Sequence, residues 1–105
     1  MSPLAPSVID QISASMSVSS LQQQVIASNI ANRDTQGYQR MKLRFDQAMD
    51  QAGTATIGVD DSNADVSLEH DLVALSSNSM QYTALARTLS RYFSIITAIT
   101  NPSRG

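Results

Sequence analysis

Cysteine is absent from the 105 residues, which excludes disulfides and thiolate metal sites together. Tryptophan is absent as well and aromatics make up 5% of the chain, so large rings cannot dominate its core. His70 is the sole histidine. Ser67 and Leu68 behind it and Ala74 ahead offer no ligand set, so a histidine-based metal site is not expected. No stretch approaches the roughly 18 apolar residues of a membrane span. The opening MSPLAPSVIDQ has neither a basic region nor an apolar run, so no cleaved secretory leader and no direct membrane insertion are expected. Charged residues are few at 15%, the net charge is -2, and the seven basic residues form no block, which argues against nucleic acid and against an anionic membrane.

Catalytic patterns are missing in the same way. The serines have no histidine partner in an elbow motif, and no glycine-rich loop precedes a helix in phosphate-binding form. Asp60, Asp61, Asn63 and Asp65 look superficially like a calcium loop, but the glycine, the spacing and the terminal bidentate glutamate do not match. The sequence therefore carries no catalytic residue, no metal site and no cofactor site, and a non-enzymatic role is expected.

What remains is helical periodicity and abundant Ser, Thr, Asn and Gln. Residues 1–7 hold two prolines and read as irregular, with Ser7 or Asp10 available as an N-cap. Between residues 8 and 32, Ile9, Ile12, Met16, Ser19, Gln23, Ile26 and Ile30 step by alternating threes and fours, the seam of a coiled coil. A second line, Ala14, Val18, Leu21, Val25 and Ser28, widens that face. Residues 8–38 thus form a helix of about 37 Å and a turn. The turn is Thr35-Gln36-Gly37-Tyr38, with glycine at its third position as type II requires. Residues 39–66 connect. Met41, Leu43 and Phe45 alternate as a short extended piece, Phe45, Ala48 and Met49 step helically, and residues 52–65 read as a flexible loop. Arg40, Lys42 and Arg44 line the other face, either as a solvated edge or as a contact for an acidic neighbour.

Residues 67–101 form the second helix, capped by Ser67 or Asp65, with Glu69 and Asp71 in its first turn and Pro102 as its stop. Its seam runs Leu68, Leu72, Leu75, Ser79, Tyr82, Ala86, Leu89, Phe93, Ile96 and Thr100. At about 50 Å it outreaches the first helix. The fold class expected is all-α: one domain of two long antiparallel, coiled-coil-like helices joined by the turn, a short irregular or helical segment and the loop. A chain this short buries about two-thirds of its unfolded surface, so packing against other chains is expected to complete the core.

Residues 27–38, ASNIANRDTQGY, carry a resemblance to a known family. Ser28, Asn29, Ile30, Ala31, Asn32, Thr35, Gly37 and Tyr38 match the S-N-I-A-N, two variable residues, T-P-G-Y signature of the bacterial flagellar rod and hook proteins. Gln36 departs from the usual proline. Residues 72–99 resemble the C-terminal helix of proximal rod members of that family, through Asn78 and Tyr82, Leu89 and Phe93, and a closing Ala98-Ile99; Leu68 and Glu69 match where that helix begins. The resemblance implies a two-helix fold of the D0 type and a structural subunit of the basal-body rod. It also implies export through the flagellar type III apparatus without a cleaved leader, with folding on assembly. Implied partners are copies of the chain, other rod proteins, the basal rod adaptor and the MS ring. The assembly seam would comprise Ile12, Met16, Leu21, Val25, Ile26, Ile30, Leu72, Leu75, Tyr82, Leu89, Phe93 and Ile96. Another axial or type III inner-rod subunit, and a soluble helical binding module such as an export chaperone, remain alternatives.

Overall fold

The computed structural model describes residues 7–45 and 55–101. Ser7 begins the first helix, α1 (Val8–Ala31), from extended backbone. Its hydroxyl accepts the Asp10 amide at 3.0 Å while the Asp10 carboxylate accepts the Ser7 amide at 3.4 Å, a reciprocal capping box that occupies otherwise orphaned amides. Ser67 begins the other helix in the same way, its hydroxyl accepting the His70 amide at 3.1 Å, with Glu69 and Asp71 at the positive end of the helix dipole.

Between the helices the chain departs from the all-α expectation. β1 (Met41–Phe45) and β2 (Ala55–Val59) pair antiparallel, with Met41 opposite Val59 and Phe45 opposite Ala55. The ladder extends by one bond, from the Asp60 amide to the Arg40 carbonyl at 2.8 Å. The extended reading of Met41, Leu43 and Phe45 thus describes one strand of a hairpin. Residues 55–59, expected to be loop, form the other. Glycine at position 58 makes room for the Arg44 side chain, which crosses it and donates to the Val59 carbonyl at 3.1 Å. The helical step expected through Ala48 and Met49 lies outside the described residues, as do the N-terminal residues 1–6 and Pro102.

The second helix, α2 (Leu68–Thr100), packs antiparallel on α1, and β1 lies along α1. Ser19 meets Asn78, so α1 runs out near the level of Leu89, and the last turns of α2 extend about 16 Å past Val8. The Ser and Thr hydroxyls of a pair this long would otherwise compete with the backbone, and several on α2 bond back one turn instead: Thr83 to Ser79, Thr88 to Ala84, Ser94 to Ser90 and Thr100 to Ile96.

The core is small and half polar. Val25 and Ile26, 2% and 6% exposed, are the buried apolar residues among those described, beside buried Ser19, Asn29, Asp71 and Asn78. The inner line of α2 is Asp71, Leu75, Asn78, Leu85, Leu89, Tyr92 and Ile96, with Tyr82 at its margin. The expected seam shares Leu75, Tyr82, Leu89 and Ile96 with it, but Leu72, Ser79 and Phe93 are exposed. The helix is rotated because Asp71 and Asn78 have partners inside. The result is a thin molecule of 62 × 31 × 15 Å with a radius of gyration of 18.0 Å, against about 13 Å for a compact chain of this length. Its accessible surface is 7825 Å², against about 5,700 Å² for a compact protein of this mass.

Candidate functional site

The joint where α1 gives way to the hairpin concentrates the specific polar contacts. Asn29 is 3% exposed. Its Nδ2 donates to the Met41 carbonyl at 2.9 Å and its Oδ1 accepts the Met41 amide at 2.9 Å, so one amide side chain pairs with both backbone groups as a neighbouring strand would. Oδ1 also accepts the Tyr38 hydroxyl at 2.8 Å, and that hydroxyl lies 3.1 Å from Ser28 Oγ. The end of α1 and the start of β1 are thereby tied side by side, and a residue unable to both donate and accept at position 29 cannot replace the contact.

Asn32 closes the helix. Its backbone and side-chain N–H groups each donate to the Ser28 carbonyl at 3.0 Å, occupying an acceptor that the last turn leaves free. Its Oδ1 accepts the Thr35 hydroxyl at 3.2 Å, its carbonyl accepts the Thr35 amide at 2.9 Å, and the Tyr38 amide returns to the Thr35 carbonyl at 3.1 Å. Gly37 has φ +81°, the third-position conformation of a type II turn, with open space where a Cβ would stand. Ser28, Asn29, Asn32, Thr35, Gly37 and Tyr38 are therefore all engaged in one local network. Ile30 is half-buried against the pair, and Ala31 and Gln36 are exposed.

An ion pair ties this joint to the base of α2. Arg40 donates to Asp71 through two nitrogens at 2.8 and 2.9 Å, a bidentate fork, and Arg33 approaches the same carboxylate at 3.6 Å. Asp71 is 3% exposed. The hydrogen bond from Arg40, reinforced by the charges of Arg40 and Arg33, holds its carboxyl below the ordinary range despite burial, and the same bond raises the Arg40 pKa. From sequence Arg40 reads either as part of a solvated edge or as a contact for an acidic neighbour; the structure gives it an acid within the chain. Lys42 approaches exposed Asp61 at 3.5 Å and Arg44 donates to the Val59 carbonyl of the hairpin at 3.1 Å, so both of these cations also have contacts within the chain. From sequence Asp71 reads only as a dipole-complementing acid, since no local spacing links it to Arg40.

A second node sits one heptad further along α2. Asn78 Nδ2 donates to the Ser19 carbonyl at 2.8 Å and to Gln23 Oε1 at 2.7 Å, while Ser19 Oγ donates to Asn78 Oδ1 at 3.2 Å. Ser19 and Gln23, which interrupt the apolar seam of α1, meet the one amide on α2 that satisfies both. Of the expected seam residues, Val25 and Ile26 are buried, and Ile12, Met16, Leu21, Ile30, Leu75, Leu89 and Ile96 are half-buried. Leu72 and Phe93 face outward, and Tyr82, 39% exposed, stands at the margin of the pair. Among the described residues no three His, Asp or Glu side chains gather where a metal could be held, and no helix is long and apolar enough to cross a membrane.

Residues 14–39 match the family described as Flagella basal body rod protein. The match spans about a quarter of the chain and covers α1 from Ala14 onward, the turn and the path as far as Gln39, so Ser28, Asn29, Asn32, Thr35, Gly37 and Tyr38 lie inside it while Arg40, Met41 and Asp71 lie outside. It supports kinship with the flagellar basal-body rod family, a structural family. No curated protein and no solved structure matches the chain.

Proposed function

We propose that this chain is a structural subunit of the bacterial flagellar rod, and within it a proximal-rod subunit resembling FlgB. The carrying observation is the joint: Ser28, Asn29, Asn32, Thr35 and Tyr38, which fall within the matched residues 14–39, are residues whose side chains fix how the chain leaves α1. In this reading the chain is a part of the hollow shaft that transmits torque, and it performs no chemistry of its own.

The shape supports assembly with neighbours. An excess of about 2,000 Å² over a compact protein is more than the roughly 800 Å² that each partner contributes to a standard protein interface, enough for contacts with more than one neighbour. Phe93, Ile95 and Ile99 stand exposed on the part of α2 that outruns α1. Covering them with copies of this chain, other rod proteins, the rod adaptor or the MS ring makes heterologous contacts of the kind that build tubes. With two buried apolar residues among those described, the free chain is loosely held, which suits passage through the type III export channel, without a cleaved leader, and folding on assembly.

Deleting the gene in its own host tests the reading. Swimming should be lost, basal bodies should lack a complete rod, and supplying the wild-type gene should restore both. Intact rods and normal swimming in the deletion strain would refute it.

A further inference from the structure

Heptad spacing makes the apolar part of α2 nearly indifferent to sliding along α1. Leu75, Tyr82, Leu89 and Ile96 stand seven residues apart, so a shift of one heptad, about 10 Å, exchanges one apolar side chain for another. The companion line, Asp71, Asn78, Leu85 and Tyr92, is different, because only its first two members are polar. In the observed alignment both are satisfied: Asn78 by Ser19 and Gln23, Asp71 by Arg40 and Arg33.

Either slip breaks both sets. In one direction Leu85 replaces Asn78 opposite Ser19, and the neutral Asn78 amide arrives before the two guanidinium groups in place of a carboxylate. In the other, the Asp71 carboxylate faces the Ser19 carbonyl, acceptor against acceptor, while the position it vacated falls before the start of the helix and Arg40 loses its partner. A buried polar group without a partner is costly, whereas the apolar contacts survive both slips.

We propose that Asn78, seconded by Asp71, is the register determinant of the helix pair: the apolar line supplies attraction and the two polar nodes choose the alignment. Register also sets how far α2 projects past Val8, so these residues fix the length of the apolar tail that the molecule presents. A buried polar residue at a single inner position has this selecting role in coiled coils, at some cost in stability.

The absence of cysteine allows the test to be clean. Spin labels at Q24C and R91C, both exposed positions at different levels of the pair, report the axial offset by electron–electron distance measurement. The measurement is made in trimethylamine N-oxide, which favours the packed state. The labelled parent should give one narrow distance. Asn78→Leu should retain its helix content by circular dichroism and acquire a second distance displaced by about 10 Å, the length of one heptad; adding Arg40→Leu and Asp71→Leu should enlarge that population. A single parental distance in both variants would overturn the proposal, as would loss of helix in Asn78→Leu without a second distance, or a parent already distributed over several offsets.

Discussion

Asn29→Ala removes three hydrogen bonds at once: two with the Met41 backbone at 2.9 Å and one with the Tyr38 hydroxyl at 2.8 Å. At about 1 kcal/mol net per bond the direct loss is about 3 kcal/mol. Two considerations act in opposite directions. Met41 and Tyr38 are half-buried, so water can reach part of what is uncovered and lessens the cost, while the vacated amide leaves a void against α1 that adds to it. About 3 kcal/mol stands as the expected figure, and it lowers the folded-to-unfolded ratio by roughly two decades. In a molecule with so small an apolar core that is a large fraction of the whole. Folding induced by trimethylamine N-oxide and followed by far-ultraviolet circular dichroism measures it, as a shift of the midpoint to higher osmolyte. Asn29→Asp separates the contributions, because the carboxylate keeps the acceptor for Met41 and Tyr38 but opposes the Met41 carbonyl. It should destabilise as well. An Asn29→Ala midpoint within about 0.5 kcal/mol of the parent, the range of an ordinary surface change, would refute the assignment of Asn29 as the tie between α1 and β1.

Three further outcomes follow from the same contacts. Because Arg40 holds the folded Asp71 carboxyl below its ordinary pKa, its contribution is complete above the ordinary carboxylate range and is lost as pH falls through the folded value; Asp71→Asn should cost about 2 kcal/mol at neutral pH and flatten the acid limb of the stability profile read by circular dichroism. Gly37→Ala should destabilise by about 1 kcal/mol in the same osmolyte titration, wholly through backbone strain at φ +81° since nothing lies near the added methyl, and Gly37→Asn should cost less. Gln36→Pro should stabilise by about 0.5 kcal/mol by restricting the unfolded chain at the second position of the turn, and a loss of stability there would show that the turn does not accept a proline.

Residues whose partners are close in sequence were the legible ones. Both helices, the Ser7 and Ser67 caps and the Gly37 turn follow from local spacing and side-chain chemistry, and each is found within a residue of where the pattern puts it. The hairpin was half hidden. Met41 to Phe45 alternates, but Ala55 to Val59 contains Thr, Gly and Ala and gains strand character only from a partner ten to eighteen residues away. The phase of α2 was hidden for a related reason. Apolar periodicity counts Asp71 and Asn78 as surface, and only Arg40 and Ser19, 31 and 59 residues distant, turn them inward. The resemblance pointed to Asn29, Asn32, Tyr38 and Asn78 as residues of note, and the bonds they make supply the physical reason.

Amide hydrogen exchange on the purified chain at low concentration, with and without the other rod components, bears most directly on folding coupled to assembly. Fast exchange throughout Val8–Ala31 and Leu68–Thr100, slowing when those components are added, is the expected result. Strong protection of both helices in the isolated chain, unchanged by the added components, would contradict the account and favour a self-sufficient helical binding module.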